Sequence, residues 1–283
     1  YPQPWGVEAN FGVIDAQGGA AYYEMNNSRY IKYDVNEEES GYRIVTNFSY
    51  AGRYEDYEGW ERYQTATAIM KESFSREQEM TAFDALNLFS RQYRHEVLDI
   101  DFDASNAPTF TVDQDFIPRR ITSAVVYFEG VKAGDNPLHT IMWTALGYPA
   151  CAVAIPLLVN SAHLPSYMLA RDGQAKEGKG LHAELCDLSM QIKNEWAFPL
   201  HISNGNKYVS TQNILRGATG KPALLTCTQE VEQLIGQHFV PLYQEWIKGA
   251  ISDQYFWSAY DQMALDWRDS YVQKFAAYLT NEK

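Results

Sequence analysis

Long apolar runs are missing from this chain. The longest, Cys151 to Val159, contains a proline and is roughly half of what a membrane-crossing helix needs, so no membrane partner is expected. A basic surplus is missing too: 23 Lys and Arg stand against 36 Asp and Glu, a net charge of −13. Nucleic-acid binding requires clustered cations to neutralise phosphates, so no nucleic-acid partner is expected either. Cysteine is scarce. Cys151, Cys186 and Cys227 are odd in number and widely spaced, which fits neither a disulfide framework nor a metal set.

Other motifs are incomplete. The six histidines include no pair at i, i+4, the spacing a zinc-binding helix uses, and no metal or other cofactor is expected. Asp99, Asp101 and Asp103 alternate like a calcium loop, but Ala104 stands where the turn glycine belongs and Phe110 where the bidentate glutamate belongs. The run from Gly173 to Gly180 begins like a phosphate-binding loop. Gly180 occupies the place of its Ser or Thr, and no apolar strand leads into it.

With 283 residues, 46% of them apolar, the chain can bury a large core, and nothing requires more than one domain over 1–283. Strand patterns crowd the first 50 residues, where Gly18-Gly19 closes a hairpin. Amphipathic helices are predicted over 60–73 and 81–93, a three-stranded meander over 122–131, 139–146 and 151–159, and helices over 181–196 and 231–279, the last broken near Pro241 and Gly249. That order of elements is α+β.

The run Tyr42 to Ser49 reads as a strand, alternating at period two and stopping on Asn47 at the mouth of a loop rich in Gly, Tyr and acids. A carboxamide there cannot ionise and can donate its N–H to a developing oxyanion; an isolated loop-starting Asn more often caps its own backbone. Tyrosines concentrate in the first 60 residues. Their apolar faces and polar tips suit an acyl group or a sugar ring, and they are also good strand residues. His182 and Cys186 are four apart on a helical pattern, a spacing that helix surfaces often show without chemistry. Asn26 and Asn47 each begin a glycosylation sequon.

Four segments carry a resemblance. The stretch Tyr42 to Ser49 is similar to a Thr-Asn segment, and Ala9 to Glu24 to a hairpin that ends on Glu. Gly59-Trp60-Glu61-Arg62-Tyr63-Gln64-Thr65-Ala66 is similar to a G-x-x-R-Y-x-x-A helix start, and Phe116 to Ala124 to an arginine-bearing strand entry. Together, in this order, they resemble the choloylglycine hydrolase and penicillin acyltransferase branch of the N-terminal-nucleophile hydrolases, over about the first half of the chain. The resemblance implies a four-layer αββα sandwich with antiparallel sheets. It implies attack on a linear amide C–N bond through a cysteine thioester, with a small-molecule amide as substrate. Asn47 would stabilise the oxyanion, Arg120 would support the thiolate and the substrate head group, and Arg119 would point the other way. Tyr50 and Trp60 would bound the substrate pocket.

That branch uses a cysteine as the first residue of the mature chain, and this one begins Tyr1-Pro2-Gln3. The chain is therefore expected to be the C-terminal portion of a larger domain, its nucleophile carried by an upstream segment or companion chain, with export expected if that segment bears a signal. The alternatives are a non-catalytic ligand-binding protein of the same fold and, further off, a carbohydrate-active enzyme with carboxylates paired across a cleft.

Overall fold

Asp15 builds the first turn. Its Oδ1 accepts the N–H groups of Gln17 at 2.8 Å and Gly19 at 2.9 Å, while Gly18 supplies the positive φ of +78° that the bend requires. Strands β1 (Phe11–Ile14) and β2 (Ala20–Met25) run antiparallel from it, and β3 (Tyr30–Asp34) adds to β2. The computed structural model describes residues 10–25, 29–51, 58–74, 80–159 and 180–280. The phosphate-loop-like run at 173–179 and the sequon at 26–28 lie outside them.

The chain is a mixed α+β protein with small antiparallel sheets and helices. Helix α1 (Trp60–Phe74) buries Thr65 and Ile69. Helix α2 (Ala82–Ser90) starts on a capping box in which the Thr81 hydroxyl and the Asp84 carboxylate each satisfy the other's backbone N–H. Short strands β4 (Tyr93–His95) and β5 (Ile100–Phe102) form one ladder. Strand β6 (Thr111–Val112) pairs with β10 (Tyr208–Val209) across nearly a hundred residues. The expected meander is present as β7 (Ala124–Glu129), β8 (Ile141–Leu146) and β9 (Ile155–Leu158). Helices α3 (Leu181–Ile192), α4 (Thr211–Leu215), α5 (Leu224–Ile247), α6 (Asp253–Lys274) and α7 (Ala276–Leu279) complete the order. Buried residues of α5 and α6, among them Phe239, Tyr260, Trp267 and Tyr271, join those of the meander in one apolar core.

Several elements depart from the sequence expectation. Residues 42–46 form no strand; the Tyr42 carbonyl is met by the Ser40 hydroxyl and the Ile44 carbonyl by the Tyr50 hydroxyl, groups a ladder would have used. The second predicted helix ends at Ser90, because Arg91 turns into the core and Tyr93 joins a strand. Helix α5 runs through Pro241 unbroken. Pro241 and Gln237, whose carbonyl loses its helical partner, are both exposed, so water can take the lost bond. The break comes at Gly249, whose φ of +69° closes a cap in which Gly249 N–H reaches Trp246 O and Ala250 N–H reaches Glu245 O.

The third meander strand is shorter than expected because the backbone before it is claimed by side chains. Pro149 O and Ala152 O accept from Arg91, Ala150 O from Thr228 and Cys151 O from Tyr271, and Ala154 N–H donates to Glu232. A buried loop must satisfy its polar groups, and here helices α5 and α6 and the residue ending α2 do so in place of a neighbouring strand.

Candidate functional site

Glu24, at the end of β2, fixes the segment that carries Asn47. Its carboxylate accepts Tyr50 N–H at 2.5 Å, Ala51 N–H at 2.8 Å and the Tyr33 hydroxyl at 3.1 Å, and the residue is 5% exposed. Burial resists its ionisation, but hydrogen bonds from the Ser49 hydroxyl, these two N–H groups and Tyr33 outweigh that and hold the carboxyl below its ordinary value. Asn10 donates to Phe48 O, and the Phe48 ring is packed among Tyr50, Trp60 and Tyr63 at centroid distances of 5.3, 6.4 and 5.3 Å. The bend at 47–48 is thus pinned from below on both sides, with Phe48 buried and Asn47 exposed.

Arg62, in the first turn of α1, donates to Asn47 Oδ1 at 2.5 Å. A guanidinium has only donors, so it dictates which end of the carboxamide faces it. Asn47 Nδ2 is left pointing away, with no acceptor among the described residues. Burial and the Arg119 guanidinium both lower the Arg62 pKa. A cavity of about 390 Å³ is lined by Arg43, Thr46, Arg62 and apolar side chains that include Ile44, Ala66, Phe89 and Ile117; Asn47, Arg119 and Arg120 are not among its lining residues. Among the described residues no cysteine lines it.

Arg120 is half-buried. Its N–H donates to Asp113 Oδ2 at 2.5 Å, its Nε is buried without a partner, and its charge acts on Lys193. The structure therefore joins Asn47 with Arg62 by a hydrogen bond and shows no such bond from Asn47 to either Arg119 or Arg120. Asp113 lies within electrostatic reach of both arginines, although burial raises its own pKa.

Tyr50 is half-buried and its hydroxyl donates to Ile44 O at 2.8 Å, so it shapes the bend more than it faces a ligand. Trp60 stacks on Tyr63 at 5.2 Å and is 39% exposed. Residues 52–57 of the loop between them lie outside the described residues. Cys151 is fully buried against Ser189, where burial pushes its thiol up to about 12; burial likewise takes Cys227 on α5 to about 11. Cys186 is half-buried on α3.

One functional candidate was not singled out from sequence: Arg62 was in view, as the arginine of the G-x-x-R-Y-x-x-A segment, but without an assigned role. No protein-family model, no curated protein and no solved structure matches the chain.

Proposed function

We propose that this chain is the substrate-shaping part of an amide hydrolase or acyltransferase that cleaves a linear C–N bond through a cysteine thioester. One observation carries the reading: Arg62, which lines a largely apolar cavity, clamps the carboxamide oxygen of the exposed Asn47 and leaves its NH₂ to find another partner. A fixed, uncharged donor is suited to a tetrahedral oxyanion. Arg119 and Arg62 add positive potential where negative charge develops, and the neighbouring walls accept an apolar acyl group. The thiol comes from a segment or companion chain bearing an N-terminal cysteine, and the complete particle is an αββα sandwich. Burial raises the thiol pKa of Cys151 and Cys227 and unsuits both as nucleophiles on either reading; the second reading is a non-catalytic binding protein that keeps the cavity without a nucleophile.

Intact-mass measurement after incubation with an activated amide separates the two. On the hydrolase reading the complete protein gains an acyl group at its N-terminal cysteine, while these 283 residues alone gain none. An adduct on Cys151, Cys186 or Cys227 overturns the assignment of the nucleophile. A complete protein that binds the amide but never acylates supports the binding protein.

A further inference from the structure

The cavity beside α1 is a slot with a guanidinium toward each end. Arg62, Ala66 and Met70 stand four residues apart on α1 and form one stripe along its wall, about 12 Å long at about 1.5 Å of rise per residue. Residues 43–46 run antiparallel to that stripe. The Thr46 hydroxyl donates to Gly59 O at 2.9 Å, just before the helix starts, and the Tyr42 ring packs on Phe74 at 5.2 Å where it ends. Thr46 therefore lies toward Arg62 and Arg43 toward Met70, with Ile44 and Val45 between them and Phe89 and Ile117 completing the lining. No acid lines the slot among the described residues.

The two cations differ in what they already hold. Arg43 pairs with Glu38, and its guanidinium lies over the rings of Tyr33 at 3.9 Å and Tyr50 at 4.9 Å, so its charge and its face are both engaged. Arg62 forms no ion pair among the described residues. Its one hydrogen bond there goes to the neutral Asn47 Oδ1, and its Nε is covered without an acceptor. Asp115, Glu58 and Glu61 act on its charge, but none pairs with it or lines the slot. Gly59 makes room for this placement: a Cβ there would collide with Arg62 Nη2.

An arginine left this way is out of character for the chain. Acids outnumber bases by 36 to 23, and other well-placed cations have found them: Arg91 pairs with Glu232, Arg94 with Glu72 and Glu96, and Arg268 with Glu184. A guanidinium with donors to spare at one end of an apolar slot matches a ligand end that is anionic and planar. At the other end Glu38 already meets the charge of Arg43, so a second anion has no partner there. A volume of about 390 Å³ is near the lower bound for small-molecule sites.

We infer that this slot binds a small apolar monocarboxylate, its carboxylate on Arg62 and its apolar body running past Ala66 toward Met70. Taking that acid as the acyl half of the amide substrate rests on the function proposed above; the binding itself needs no nucleophile.

Calorimetry and thermal melts of the whole protein with octanoate, octanamide, suberate and inorganic phosphate test this without a catalytic readout. Octanoate is expected to bind and raise the melting temperature, octanamide and suberate to bind at least about tenfold more weakly, and phosphate not at all. Arg62→Met should weaken octanoate by at least about tenfold and leave octanamide unchanged, whereas Ala66→Phe, which narrows the slot midway, should weaken both. A parent protein that binds no octanoate overturns the site, as does octanoate binding that ignores either substitution. Equal weakening of octanoate and octanamide by Arg62→Met would mean that the arginine only shapes the wall, which overturns the carboxylate contact. Preference for suberate or phosphate overturns the single-carboxylate assignment. If Arg62→Met fails to fold, Arg62→Gln makes the same comparison. A protein that acylates yet binds no octanoate loses the slot and keeps the hydrolase reading; one that binds octanoate through Arg62 and never acylates does the reverse.

Discussion

Asn47 and Arg62 are 15 residues apart in sequence and 2.5 Å apart at their side chains, with the guanidinium donating to the carboxamide oxygen. Because arginine cannot accept, the contact orients the amide and leaves its two N–H donors for something else.

If that orientation matters for chemistry, Asn47→Ala in the complete, acylating protein should lower kcat by about 10²- to 10³-fold with little loss of stability. Arg62→Met should lower kcat by a smaller factor while raising the spread of Asn47 rotamers. Steady-state kinetics and a crystal structure of each variant check the pair. Full activity in Asn47→Ala would remove the oxyanion assignment.

Glu24 gives a pH test. Its carboxyl is held below the ordinary value of 4.5 in the folded protein, so the folded state binds fewer protons than the unfolded one as the pH falls. The stabilisation is fully present above the unfolded pKa and is lost as pH drops through the lower folded value. Melting temperature should therefore fall more steeply between about pH 5 and pH 3 in the parent than in Glu24→Gln. At pH 7 the substitution should cost about 1.5–3 kcal/mol, the worth of hydrogen bonds to a charged acceptor. Parallel melting curves across that range would contradict it.

Arg91 uses all five of its N–H donors: two on Glu232 at 2.6 Å each, one on Asn87 at 3.0 Å and two on the Pro149 and Ala152 carbonyls. Both ionised side chains are buried. Glu232→Gln should destabilise by about 3–5 kcal/mol, since it strands a buried cation, and Arg91→Met with Glu232→Leu together should recover much of that loss. Chemical denaturation of the three variants measures it.

How much of this the sequence discloses depends on the range of the cause. The helix start near Thr81, the Gly18 turn, the Gly249 stop and the meander's three apolar runs depend on neighbours a few residues away, and all appear in the structure within a few residues of expectation. Tyr42 to Thr46 alternates like a strand yet forms none, because Ser40 and Tyr50 occupy its carbonyls. Periodicity cannot report who takes a hydrogen bond. The same limit applies to the site: Asn47 stands out as an amide after an apolar run, but its orientation by Arg62 requires α1 to lie against the bend.

The side-chain clamps on residues 149–154 have a kinetic consequence. Their donors and acceptor sit at positions 91, 228, 232 and 271, so this short stretch of backbone cannot reach its final state until chain segments separated by up to 120 residues have met. Contacts of that sequence separation make for slow folding and leave apolar surface waiting meanwhile. Once formed, the same wiring means the loop has no private way to open. Its amides should exchange with solvent only when α5 and α6 come away with it, at the rate of the slowest sites in the molecule.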